Sequence, residues 1–159
     1  MKKRYVLLIL VLMFGTFGCS QSEESHESEG QDHVMGDIRE ETVSIEVLPS
    51  FLEDKSEEMV TIYQAAAMHQ DLLETIPCYC GCADSVGHRD SYDCFVHDTK
   101  GEKIVWDDHG TKCGVCLDIA ATAVLEFSQG KSPSEIRSLI DETYKEGYSN
   151  PTPTPMPGI

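Results

Sequence analysis

Basic residues are scarce in this chain: 12 Lys and Arg stand against 28 Asp and Glu, a formal net charge of −16. So acidic a surface repels phosphate backbones and anionic bilayers alike, which argues against nucleic acid as a partner and against electrostatic adsorption to a membrane. Several catalytic signatures are also missing. There is no phosphate-binding glycine loop and no helical histidine pair of the zinc-protease kind. Cys113-Gly114-Val115-Cys116 is followed by Leu117, not histidine, so covalent haem attachment is excluded. No internal repeat is present, and no catalytic residue stands out. The chain reads as a non-enzyme.

What the sequence does have is thiol. Of its seven cysteines, three alternate in Pro77-Cys78-Tyr79-Cys80-Gly81-Cys82, and Cys94, Cys113 and Cys116 follow closely. Outside the cytoplasm such thiols oxidise, pair or take a soft metal ion.

Export is written in the first residues. Lys2, Lys3 and Arg4 precede an apolar run at 5–17 that is too short and too early for a mature membrane span, the pattern of a secretory signal. The run ends in Thr16-Phe17-Gly18-Cys19, similar to a lipobox with Thr16 in place of the usual leucine, and Cys19 is positioned to carry the lipid. Acyl chains on Cys19 would anchor the protein to the extracytoplasmic face of the cell membrane. Cleavage there removes three basic residues and leaves the remainder more acidic still.

Composition then divides the chain into a signal peptide (1–18), an acidic tether (19–47), a cysteine-rich domain (48–148) and a proline-rich tail (149–159). The tether is Ser-, Glu- and Gly-rich and too polar to offset chain entropy. Its His26 and His33 read as solvated residues. In the tail, prolines at 151, 153, 155 and 157 forbid helix and favour an extended path.

Within the domain, periodicity predicts a helix over 56–76, capped by Ser56, with Met59, Ile62, Ala66, Leu73 and Ile76 on one stripe. His69 falls on that stripe and is read as a hydrogen-bonded core residue; Met59 and Met68 are read as packing residues. Pro77 ends the helix. Residues 78–82 must then run as loop, with alternate cysteines on one side and Gly81 allowing the backbone to curl. Phe95-Val96 and residues 104–106 predict a hairpin. A second helix over 112–127 places Cys113 and Cys116 in its first turn, where unpaired N–H groups favour thiolate. Ser132-Pro133-Ser134-Glu135 is a capping box that opens a third helix. The expected fold is mainly α: a small three-helix domain with a short β-hairpin and a cysteine-rich loop, flanked by a disordered N-terminal tether and a proline-rich C-terminal tail.

Residues 77–82, Gly87-His88, Asp93-Cys94-Phe95, Trp106-Asp107-Asp108-His109 and Cys113-Gly114-Val115-Cys116 together resemble the PCYCGC-motif lipoproteins of Bacillus-type bacteria. The resemblance implies an exported, lipid-anchored domain linked with heavy-metal binding. It transfers no catalytic residues.

Ligand softness favours Cu(I) or Zn(II). Cys78, Cys80, Cys82, Cys113 and Cys116 are the first candidates, with Cys94, His88 and His109 as completing or supporting groups. Six thiolates exceed one tetrahedral site, so either a subset serves or two metals share bridging sulfurs. Two other readings stand beside this one. Six mature cysteines can form a three-disulfide scaffold, although a bond between residues two apart is strained. Cys113 and Cys116 can serve a thiol–disulfide oxidoreductase, although no thioredoxin-like alternation of strands precedes them. No protein partner can be named from the sequence.

Overall fold

The computed structural model describes residues 36–158; Cys19, the signal pattern, His26 and His33 lie outside the described residues. The chain enters as strand β1 (Arg39–Thr42) and passes through a short 3-10 turn at Ser50–Leu52 into helix α1 (Glu57–Met68). A one-turn helix α2 (Gln70–Leu73) leads to the cysteine loop, which carries a second one-turn helix, α3 (Ala83–Val86). Strands β2 (Val96–Lys100) and β3 (Lys103–Asp107) follow. A 3-10 segment at Asp108–Lys112 then leads into α4 (Gly114–Ser128) and α5 (Pro133–Tyr144). None of the described helices is long and apolar enough to cross a membrane.

The predicted hairpin is part of a larger object. β3 is the centre of a three-stranded antiparallel sheet in the order β1-β3-β2, with Thr42 opposite Ile104 and Val96 opposite Trp106. Trp106, wholly buried, donates its indole N–H to Thr42 Oγ1 at 2.9 Å, which satisfies the one polar atom of the ring and ties β1 to the core.

The helices follow their start signals closely. Ser56 accepts the Met59 amide at the head of α1, and Ser132 with Glu135 forms a reciprocal capping box at α5. The predicted first helix is broken at His69, which leaves helical angles (φ −121°, ψ 42°). Its amide bonds to Ala66 in a tightened last turn, its ring Nδ1–H donates to the Ala65 carbonyl at 2.7 Å, and the ring meets Phe127 edge-on. Met59 packs against the core, but Met68 is 64% exposed and does not serve as a packing residue.

The helix α4 lies between α1 and α5. Small buried residues, Ala66 and Ala67 on α1 with Ala120 and Ala123 on α4, allow close approach, and Ile119, Ile136 and Ile140 fill the remainder. At the sheet end, Tyr63 meets the Phe95 ring edge-on at 5.0 Å and donates its hydroxyl to the Asp107 carbonyl.

Order extends beyond residues 48–148 at both ends. β1 lies in the stretch that composition assigns to the tether. The tail is extended, as its prolines dictate, but it is docked: Thr152 donates its amide to the Cys78 carbonyl, and Ser149 donates its amide to the Tyr79 carbonyl. Arg137 on α5 clasps both partners, donating to the Thr75 carbonyl and to Thr154 Oγ1.

Candidate metal centre

Three segments deliver the thiols to one place. Pro77 is fully buried and directs the chain away from α2, so that Cys78 faces inward, 2% exposed, with its N–H donating to Thr152 Oγ1 at 2.9 Å and its carbonyl accepting from Thr152. Cys80 follows with its sulfur 3.0 Å from that of Cys78. Gly81 then turns through the left-handed region (φ +81°), and a Cβ there would strike Ser149, so only glycine fits beneath the tail. Cys94 enters from the segment before β2, fully buried, and its carbonyl accepts the Gly110 amide at 2.8 Å. Cys113 caps α4 through its sulfur, which accepts the Cys116 amide, and the two sulfurs stand 2.9 Å apart. All six described cysteines are free thiols.

Two groups of donors result. Cys80, His109, Cys113 and Cys116 each place one donor atom so that all four lie within 4.8 Å of one another; Cys78, Cys94 and Cys116 do the same with sulfur alone. Two sulfurs sharing a zinc at about 2.3 Å stand less than about 4.6 Å apart, so the first group needs little adjustment to close on an ion. Cys82 stands outside both groups, with its backbone N–H donating to the Cys80 sulfur at 3.3 Å.

His109 is the residue that makes the first group more than a set of thiols. Its Nε2 points at the Cys80 sulfur, 4.0 Å away, while Nδ1 contacts Asp37 Oδ2 at 3.0 Å. A carboxylate on one ring nitrogen fixes the tautomer and frees the other for a metal. Asp37 is in turn held by Lys112, which also reaches Asp108, and the His109 amide donates to Asp107 Oδ1. Asp107, wholly buried, also takes the guanidinium of Arg39 at 2.9 Å. Burial pushes its carboxyl up, but His88, the His109 amide and Arg39 outweigh it and hold the group below its usual range.

His88 behaves differently from the thiols. Its ring lies 4.6 Å from that of His109, edge to face, and 3.7 Å from Asp107, and neither nitrogen has a hydrogen-bond partner among the described residues. It groups with Asp37 and His109, not with sulfur.

The thiols differ sharply in acidity. Cys80 is held down at about 4 by hydrogen bonds from Cys113 and Cys116, with His109 adding to the effect, against Cys78 and partial burial. Cys94 is lowered to about 7 by Cys116 and Cys78 despite full burial. Cys116 is pushed up, first by Cys113 and then by Cys78, Cys80 and Cys94, so the crowding of sulfurs overrides the helix start. His109 is raised to about 11, first by Cys113, then by Cys80, and further by Asp37. The metal-free cluster therefore holds a thiolate beside an imidazolium at neutral pH. A metal ion would replace those protons.

Two contributors escaped sequence reasoning. Asp37 lies in the stretch that composition assigns to the tether, and the strand it precedes, Arg39–Thr42, is too polar to announce itself. Thr152 lies among the tail prolines, and nothing in its neighbourhood marks it.

Fold and site together define a small domain of helices and a three-stranded antiparallel sheet, built around a cysteine–histidine cluster of metal-ligand character. The chain belongs to the family described as "Protein of unknown function with PCYCGC motif", which it matches over residues 7–157. No curated protein and no solved structure matches it.

Proposed function

We propose that this protein is a lipid-anchored, extracytoplasmic metal-binding protein that holds Zn(II) or Cu(I) at Cys80, His109, Cys113 and Cys116. The observation that carries the reading is the convergence of those four donors within 4.8 Å, with the second nitrogen of His109 seated on Asp37. Three sulfurs and one imidazole match the closed, four-coordinate sites that zinc occupies structurally, and the same soft donors suit Cu(I). A closed donor set leaves no position for substrate, which favours holding or handing over an ion above catalysis. Anchoring through Cys19 rests on the basic start, the apolar run and the lipobox-like residues 16–19.

Native mass spectrometry of the full chain, purified in detergent without chelator and under exclusion of oxygen, tests this reading. A reduced protein carrying metal, with the metal lost in Cys80→Ser and His109→Gln, is the expected result. A metal-free chain that takes up neither Zn(II) nor Cu(I) when titrated would overturn it.

The 2.9 Å approach of Cys113 to Cys116 at a helix start favours one second reading, a thiol–disulfide oxidoreductase. That reading requires exchange with a model disulfide that disappears in Cys113→Ser and in Cys116→Ser; exchange surviving either change removes it.

A further inference from the structure

The four-donor site leaves two buried cysteines without a task. Cys78 and Cys94 are 2% and 0% exposed, their sulfurs are 4.0 Å apart, and with Cys116 they form a group of three sulfurs within 4.8 Å. Cys116 is the one residue common to this group and to the four-donor group. A thiolate has lone pairs enough for two metal ions, so a shared cysteine is the natural joint of a two-ion cluster.

We infer that the protein binds two Cu(I) ions per chain, one at Cys80, His109, Cys113 and Cys116 and a second at Cys78, Cys94 and Cys116, bridged by the Cys116 sulfur. The inference rests on the reading above that the four-donor group is a metal site. The choice of ion for the second position follows from its donors. Three sulfurs, with no fourth donor grouped with them among the described residues, suit an ion content with trigonal coordination, which Cu(I) is and Zn(II), tetrahedral in closed protein sites, is not. All three sulfurs belong to side chains that are at most 2% exposed, so water is kept from an ion that oxygen in solution would oxidise. Each protonated thiol, and the His109 imidazolium, gives its proton to solvent as it ligates, while copper enters and stays as Cu(I), so no electron is exchanged.

The geometry around the triad is already fixed. Thr152 holds Cys78 from the tail, the Gly110 amide holds the backbone of Cys94, and the first turn of α4 holds Cys116. No large rearrangement is needed for the second ion to sit between them.

The test is an oxygen-free titration of the full chain with Cu(I) against a chromophoric Cu(I) competitor, read by native mass spectrometry and by X-ray absorption. Two Cu(I) per chain with a copper–copper scattering shell is expected, falling to one ion with no such shell in Cys94→Ser or Cys78→Ser, while Zn(II) stops at one per chain. One Cu(I) in the unaltered chain would overturn the second site and leave the four-donor site standing. Uptake of no metal at all would overturn both. Two ions retained in the folded variants, or two Zn(II) in the unaltered chain, would overturn the assignment of the triad to three-coordinate copper. Should both serine variants fail to fold, the stoichiometry and scattering of the unaltered chain decide the matter alone.

Discussion

Asp37 and His109 are separated by 72 residues in the chain and by 3.0 Å in space, carboxylate Oδ2 to imidazole Nδ1. The contact leaves Nε2 directed at the thiols and makes the imidazole a better ligand. Asp37→Asn retains the shape but loses the charge, and is expected to weaken Zn(II) binding by about 10- to 100-fold while stoichiometry stays the same. Competition with a zinc-sensitive dye measures this, and unchanged affinity would remove Asp37 from the site.

Cys80 supplies a pH prediction. Its pKa is depressed from the ordinary 9.0 to about 4. The thiolate's contribution to folding is therefore complete above 9 and is lost as pH falls through about 4. In the metal-free, reduced protein one cysteine should react with iodoacetamide rapidly even near pH 6, where an ordinary thiol is sluggish. Peptide mapping should place the label on Cys80. Uniformly slow labelling of every cysteine would contradict the assignment.

The tail is predicted to be structural. Thr152→Val keeps the side chain's shape but leaves the buried Cys78 N–H without its acceptor, at a cost of about 1–3 kcal/mol. Thr152→Ser restores the hydroxyl and should recover most of that loss. Thermal unfolding of the two variants side by side makes the comparison, and equal stability would mean the tail contact is dispensable.

Gly110 joins the site to the aromatic core. A Cβ at this position would lie 2.7 Å from Phe95 Cε1 and 2.9 Å from Tyr63 Oη, both wholly buried rings. Gly110→Ala is expected to destabilise the protein by about 1–3 kcal/mol through overpacking, and to lower metal affinity by moving its neighbour His109. Denaturant titration and metal competition on the same variant would show whether the two losses travel together.

Local signals carried most of what the sequence revealed. Ser56 and the box at Ser132 mark helix starts because caps act within one turn of chain, and the cysteine string was visible because thiols are rare. Composition could not show that Arg39–Thr42 becomes a strand. Its polar side chains reflect an edge position on the sheet, and its stability comes from pairing with β3, more than sixty residues away. The broken helix at His69 was hidden for a related reason, since the apolar spacing continues through a residue whose ring takes a backbone carbonyl for itself. Sequence named the thiols together with His88 and His109. It could not divide them, because which sulfurs meet depends on how three separate segments cross.

The docking of Thr152 on Cys78 has a consequence for timing. The site draws on Asp37 near one end of the described chain and is braced by Thr152 near the other. A polypeptide that emerges from its N-terminus cannot complete such a site until residue 152 has followed residue 37 into the open. Thiols that appear earlier meet any ion only as loose, solvent-exposed ligands. On the proposed metal-binding reading, selective uptake waits for Thr152 to dock on Cys78, and folding itself acts as the gate that decides when metal is held.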